Sequence, residues 1–412
     1  MGTYRKLGLA VILILFIIVT AITINSGSNS IVTRQPKSSD TNSYNQYKSV
    51  YSKLIFDYDT FLRNSFTTEN LPGMAAVVVK DNQVLFIKGF GVREFGGNDS
   101  INANTVFRLG SVSKGFASVL TGILVNDKKL SWNDQIIKYI PDFVLKNADY
   151  TDQLTIRHIL SHTSGLPMHT YTDMLDYNVP FDQIKPLIGL VDPIGPPGQE
   201  YSYQNVVYSL IADVVLSATD QDYQTLVYNK IFIPLNMQRA SLDFNSISTD
   251  SNVAIPHLKA GNSLWKPQNL NSRYYTVAPA SGVNASISDM ARWLMALLGN
   301  YPDFIPENAL EEVFSPQVST PIKRKFRSSW KNLGDLYYGL GWRIFETNGE
   351  NIIYHGGYVR GYRAEIALDY KEKVGIAVLF NCNCRLANKC IPEFWELYFS
   401  HSSEDPLFAE KN

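Results

Sequence analysis

A serine hydroxyl is a poor nucleophile at neutral pH and needs a neighbour to take its proton. A lysine whose pKa is lowered by burial and nearby cations can be that neighbour. Residues 107–118 read Phe-Arg-Leu-Gly-Ser-Val-Ser-Lys-Gly-Phe-Ala-Ser and place Ser111 and Lys114 three residues apart. An apolar run through Val119, Leu120, Ile123 and Leu124 follows with helical spacing, so a helix opened by Ser111 carries both groups on one face. The same spacing recurs at Ser263 and Lys266 and at Ser328 and Lys331, but neither pair leads into an amphipathic helix. No Gly-x-Ser-x-Gly elbow occurs, which argues against an α/β-hydrolase triad.

Two further elements have the chemistry to join that pair. Tyr203-Gln204-Asn205 follows Pro196-Pro197-Gly198 at a predicted helix entrance, and His355-Gly356-Gly357 ends a predicted strand. Taken singly, Tyr203 reads as a packed aromatic and His355 as a hydrogen-bonded strand-end residue. Taken in order, Ser-x-x-Lys, Tyr-x-Asn and His-x-Gly resemble the serine β-lactamase and penicillin-binding-protein superfamily, in its class C branch with DD-peptidases, D-amino-acid peptidases and serine esterases. The likeness extends to residues 107–116, 154–167, 197–208, 233–237, 280–293 and 338–342.

The resemblance implies that Ser111 attacks a carbonyl carbon and becomes acylated, while Lys114 and Tyr203 accept and relay its proton. Tyr203 then helps to activate the water that frees the enzyme, its phenolate stabilised by a nearby ammonium. Asn205 would orient Lys114 and the substrate amide, with His355 and Gly357 lining the binding strand. The backbone N–H groups of Ser111 and Tyr358 would form the oxyanion hole, each contributing about 3 kcal/mol. The implied activity is hydrolysis of an ester or amide, such as a peptidoglycan-type peptide; the alternatives are a class C-like β-lactamase and an inactive penicillin-binding-like scaffold. No cofactor is implied. The third motif departs from the Lys-Thr-Gly of the lactamases by lacking a hydroxyl at Gly356. That glycine is expected to leave room for a bulky leaving group, with Arg360 or Arg363 supplying the carboxylate contact.

The elements that must position these groups follow from periodicity. A helix with Val50, Leu54, Tyr58, Phe61 and Leu62 on one face precedes a hairpin of residues 74–80 and 84–89. Helices are expected over 206–217, 223–231 and 288–298, and strands over 338–345, 351–355, 362–369 and 374–381, before a final helix with Phe394, Trp395, Leu397 and Phe399. Strands at both ends with helices between them predict an α+β fold: an antiparallel sheet built from both chain ends, flanked by terminal helices, with an inserted mainly helical lobe. Its site is expected in the cleft between sheet and lobe.

Composition bounds the rest. The 412 residues carry 37 basic against 38 acidic side chains, which gives no electrostatic footprint for nucleic acid. Arg5 and Lys6 precede an apolar run over residues 7–24, read as a membrane anchor or signal segment (1–25) that leaves the body outside the cytoplasm, either tethered or secreted. Residues 26–46 read as a polar linker and 47–412 as the hydrolase domain, whose partners are a small-molecule or peptide substrate and, through the leading segment, a membrane. Cys382, Cys384 and Cys390 suggest a small disulfide loop between Cys390 and one of the others. His158 and His162 have metal-ligand spacing but lack the glutamate and third ligand of a zinc motif, so no metal site is expected.

Overall fold

The computed structural model describes residues 51–261 and 264–404. The apolar run, the polar linker, Val50 and the Ser263–Lys266 serine lie outside the described residues. Helix α1 (Ser52–Thr68) precedes strands β1 (Gly73–Lys80) and β2 (Gln83–Gly91), and a short strand β3 (Val106–Arg108) leads towards helix α2 (Ser113–Asn126). The middle of the chain supplies helices α3 (Ile156–Leu160) and α4 (Ile211–Thr219), a small β4 and β5 pair (His257–Ala260, Leu264–Pro267), strand β6 (Asn284–Ser286) and helix α5 (Ile287–Leu297). Then come β7 (Val318–Ser319), β8 (Leu333–Tyr338), β9 (Arg343–Thr347), β10 (Glu350–Val359), β11 (Tyr362–Asp369), β12 (Val374–Phe380) and helix α6 (Cys390–Glu404).

Eight strands form one sheet in the order β2-β1-β12-β11-β10-β9-β8-β7, all neighbours antiparallel. Strands from the two chain ends meet one strand in from its β2 edge, where Met74 pairs with Phe380 and Val77 with Ala377. Both faces are covered, which is why β12, and β1 up to its terminal Lys80, are apolar and do not alternate with polar residues. Met74, Ala76, Val78, Ile376, Val378 and Phe380 pack under the terminal helices. The intervening Ala75, Val77, Val79, Ala377 and Leu379 face the helical lobe. Leu54, Tyr58 and Leu62 repeat every four residues along α1 and are buried, with Tyr58 meeting Phe394 of α6 edge-on at 5.3 Å; Phe61 is only half-buried.

Two expectations require correction. The predicted strand over 338–345 is broken by a turn at residues 339–342, where Gly341 takes φ 78° and its N–H bonds the Leu160 carbonyl at 3.0 Å. That turn delivers Trp342 against Gly115 on α2 and starts β9 at Arg343. The three cysteines are free buried thiols. Cys390 Sγ points to the Ala387 carbonyl at 3.7 Å, and Cys382 turns towards Cys384, so no disulfide loop forms.

Candidate active site

Ser111 stands where β3 meets α2, in a 3₁₀ turn over Gly110–Val112, one step ahead of the helix it was expected to open. The segment is anchored to β6: Leu109 N–H bonds the Val283 carbonyl at 2.9 Å, and Ser113 Oγ accepts from Val283 N–H at 2.9 Å. Opposite lies β10. Gly110 has φ 54°, and a Cβ on it would stand 2.8 Å from Tyr358 N. A Cβ on Gly357 would stand 1.9 Å from the Leu109 carbonyl oxygen and 3.1 Å from Ser111 N. Only two glycines allow this approach, which brings the peptide groups of Ser111 and Tyr358 to one place.

Lys114 is fully buried, with Nζ 3.5 Å from Ser111 Oγ, 2.8 Å from Asn205 Oδ1 and 3.0 Å from the Ala280 carbonyl. Burial, aided by the positive charge of Arg343, holds its pKa well below the usual lysine range. Asn205 therefore orients a base-capable amine. Tyr203 is buried beside it, its ring face 4.7 Å from Nζ. Burial raises the Tyr203 pKa, only partly opposed by a hydrogen bond with Ser111 and by Arg343. This corrects the expected phenolate: the lysine lies over the ring, and the resting side chain is a neutral phenol.

His162 is a functional neighbour that sequence reading missed. It is fully buried at φ 60°, and its ring packs at a tilt against that of Tyr203, the centroids 4.2 Å apart. Its Nδ1 accepts from Gln204 N–H at 3.2 Å, which ties the Tyr-x-Asn segment in place, while burial and then Lys114 push its pKa well down. His158 instead closes a capping box with Thr155 at the start of α3. Among the described residues no cluster of metal-ligating side chains forms.

A second missed residue is Arg343, the first of β9. Its guanidinium carbon lies 5.5 to 5.9 Å from the rings of Tyr201, Tyr203, Phe326 and Tyr338. The signal for it was the strand break at 339–342, invisible to a reading that ran one strand through Tyr338.

These groups line a cavity of about 240 Å³ with Ser111, Tyr203, Arg343, Lys323, His355 and Tyr358 on its wall. His355 is held within β10 by the Tyr338 hydroxyl, 3.0 Å from Nε2, and by the Gly356 carbonyl, 3.0 Å from Nδ1. Gly356 does not leave open room. A Cβ there would meet Glu365 Oε2 at 2.7 Å and the Tyr354 hydroxyl at 2.8 Å, so that space already contains a hydroxyl, which donates to Glu365 at 2.6 Å. Arg363 lines the cavity but is committed to Glu365. Arg360, beyond the end of β10, lines a separate groove, so neither arginine proposed from the sequence is free beside Gly356.

A serine, a buried lysine whose charge is disfavoured, a tyrosine at its side and converging backbone amides stand together on an antiparallel sheet, the parts that a serine acyl transfer needs. A family model described as Beta-lactamase matches residues 58–389, and the chain belongs to that family. The unguisins hydrolase ungD' of Aspergillus campestris is 26% identical over 337 residues, covering 79% of this chain and 61% of that protein. Protein flp of Staphylococcus aureus strain MRSA252 is 23% identical over 342 residues, covering 81% of this chain and 64% of its own length. The chain thus spans under two thirds of these curated relatives. The octameric penicillin-binding protein homologue from Pyrococcus abyssi superimposes with a TM-score of 0.72 at 22% identity, over 86% of this chain and 80% of that one, which establishes the shared fold.

Proposed function

We propose that this chain is an exported or membrane-anchored serine hydrolase that cleaves an ester or amide through an acyl-enzyme on Ser111. One observation carries the reading: Lys114 Nζ lies 3.5 Å from Ser111 Oγ in surroundings that disfavour its charge. Neutral Lys114 takes the Ser111 proton as Oγ attacks the carbonyl carbon. The phenol of Tyr203 gives its proton to the leaving group and regains one from the Lys114 ammonium. Water then attacks the acyl-enzyme with its proton passing to the same pair, and Oγ leaves reprotonated. The Ser111 and Tyr358 amides stabilise both oxyanions.

Arg343 and Lys323 give the cavity positive charge beside Tyr203, the side from which the leaving group departs. This favours a leaving group bearing a carboxylate, as in a peptidoglycan-type peptide, with Arg343 in the role first assigned to Arg360. Export rests on the basic pair and apolar run at the N-terminus, with residues 1–25 as anchor or signal, 26–46 as spacer and 47–412 as the catalytic domain. The test is labelling by a fluorophosphonate with peptide mapping. Label is expected on Ser111 and absent from a folded Ser111→Ala variant; equal labelling of that variant rejects the assignment. A chromogenic cephalosporin turned over faster than a D-Ala-D-Ala peptide would favour the β-lactamase alternative.

A further inference from the structure

Tyr358 lines two spaces. One is the Ser111 cavity; the other is a groove of about 630 Å³ that shares only Tyr358 with it and is otherwise bounded by residues such as Tyr177, Arg273, Tyr274, Val359 and Arg360. The groove is built in advance of any ligand. Arg108, buried three residues before Ser111, donates to the carbonyls of Asn271 at 3.0 Å and Arg273 at 2.5 Å, and its guanidinium lies 4.2 Å from the Tyr275 ring. Tyr274 is held at φ 71°, a left-handed conformation that costs a bulky residue energy and persists only where its surroundings enforce it. Its hydroxyl donates to Asp176 at 2.8 Å, and Asn178 reaches Ser272 at 3.2 Å, so the opposite wall is tied to the same loop.

The chemistry of the lining is one-sided. Two guanidiniums, Arg273 and Arg360, face one carboxylate, Asp176, which already accepts from Tyr274. Among the described residues neither arginine forms an ion pair. Tyr177 and Tyr358 present 82% and 53% of their surface. Large exposed rings beside unneutralised guanidiniums suit a ligand with a flat or apolar stem and an anionic end.

Direction follows from the proton donor. Tyr203 must stand beside the leaving group, and it lies in the cavity with Arg343. The acyl portion of the substrate therefore extends the other way, past Tyr358. We propose that the groove is an acyl-side subsite selecting substrates whose acyl group ends in a carboxylate, held by Arg273 and Arg360, with the stem lying on Tyr358. This rests on the serine-hydrolase reading above and adds its acyl specificity.

The test compares p-nitrophenyl valerate with the mono-p-nitrophenyl ester of adipic acid, which share a leaving group and differ by one terminal carboxylate. The adipate ester is expected to have kcat/KM higher by about tenfold or more, from one or two charge-assisted hydrogen bonds, with the preference narrowing as salt screens it. Arg273→Gln combined with Arg360→Gln should bring the ratio near one. Arg360→Glu, on an exposed turn where folding is not at stake, should reverse it. Wild-type ratios near one, or ratios unmoved by these variants while fluorophosphonate still labels Ser111, overturn the subsite. Absence of labelling and of both hydrolyses in the folded wild type overturns the serine-hydrolase reading itself.

Discussion

The two faces of the central sheet bury ionisable groups in the same way and to different ends. Under the terminal helices, burial raises the pKa of Tyr58, Cys382 and Cys390, and all three stay neutral and inert. On the lobe side, burial lowers Lys114 and His162 and raises Tyr203, in each case against the charged form. The difference is what lies within reach. Tyr58 donates to the Cys390 carbonyl and has no further task. Lys114 and Tyr203 each share a hydrogen bond with Ser111, a group that can lose a proton and be replaced. Desolvation disfavours the charged form on either face; adjacency to a nucleophile is what lets such a group act as a base.

That contrast can be broken most severely at Gly357. Gly357→Ala drives a methyl into the Leu109 carbonyl, which must separate β10 from the Ser111 turn. The expected loss is about 10²- to 10³-fold in kcat, the scale of a lost oxyanion donor. Thermal melting alongside turnover should find a folded protein; wild-type kcat would mean the two amides do not act together.

Tyr203→Phe keeps the ring packed against His162 and removes only the hydroxyl. A fall in kcat of about a hundredfold is expected from stopped-flow acylation and deacylation rates. Unchanged rates would leave Lys114 as sole proton carrier.

The opposite face gives the complementary result. Phe394→Ala empties a fully buried site against Tyr58 and should cost about 3–5 kcal/mol in denaturant unfolding. Turnover per folded molecule should not change. A selective loss of kcat would show that the terminal helices transmit to the site.

Arg343→Gln produces the smallest and most diagnostic change. Its cation depresses the Lys114 pKa, so removing it lets that pKa rise, and more alkaline conditions are then needed to free the amine. The acid limb of kcat/KM should move to higher pH, and KM for a carboxylate-bearing leaving group should increase. A limb that stays in place would assign the low lysine pKa to burial alone.

The sheet built from both chain ends was legible because its strands are continuous apolar runs separated by turns such as Asn348-Gly349 and by Asp81, which takes φ 52°. The strand drawn through residues 338–345 arose because Tyr338, Leu340 and Trp342 alternate as strand residues do, and the strand expected over 351–355 runs on to Val359, so that His355-Gly356-Gly357 lies inside it. For residues 339–342, the positive φ of Gly341, its N–H bond to the Leu160 carbonyl, and the lack of room for a side chain beside Lys114 O and the Tyr208 hydroxyl decide otherwise. Ser111, Lys114, Tyr203 and Asn205 were likewise legible from type, spacing and order. His162 was weighed only as a metal ligand, because nothing local reveals that its ring meets Tyr203.

By itself the sequence determined the groups that can do chemistry and the helix turn that joins Ser111 to Lys114, since both depend on separations of a few residues. It could not determine the charge those groups carry. Burial and the Arg343 cation, more than two hundred residues away, disfavour the Lys114 charge, while Asn205 and Ala280, 91 and 166 residues away, accept from its amine and hold it in place. Nor could it decide what stands beside Gly356, where Tyr354 and Glu365 from two neighbouring strands fill the space a missing side chain seemed to leave. Reactivity here is set by dielectric and by ångström-scale approach between distant segments, and only the folded chain supplies either.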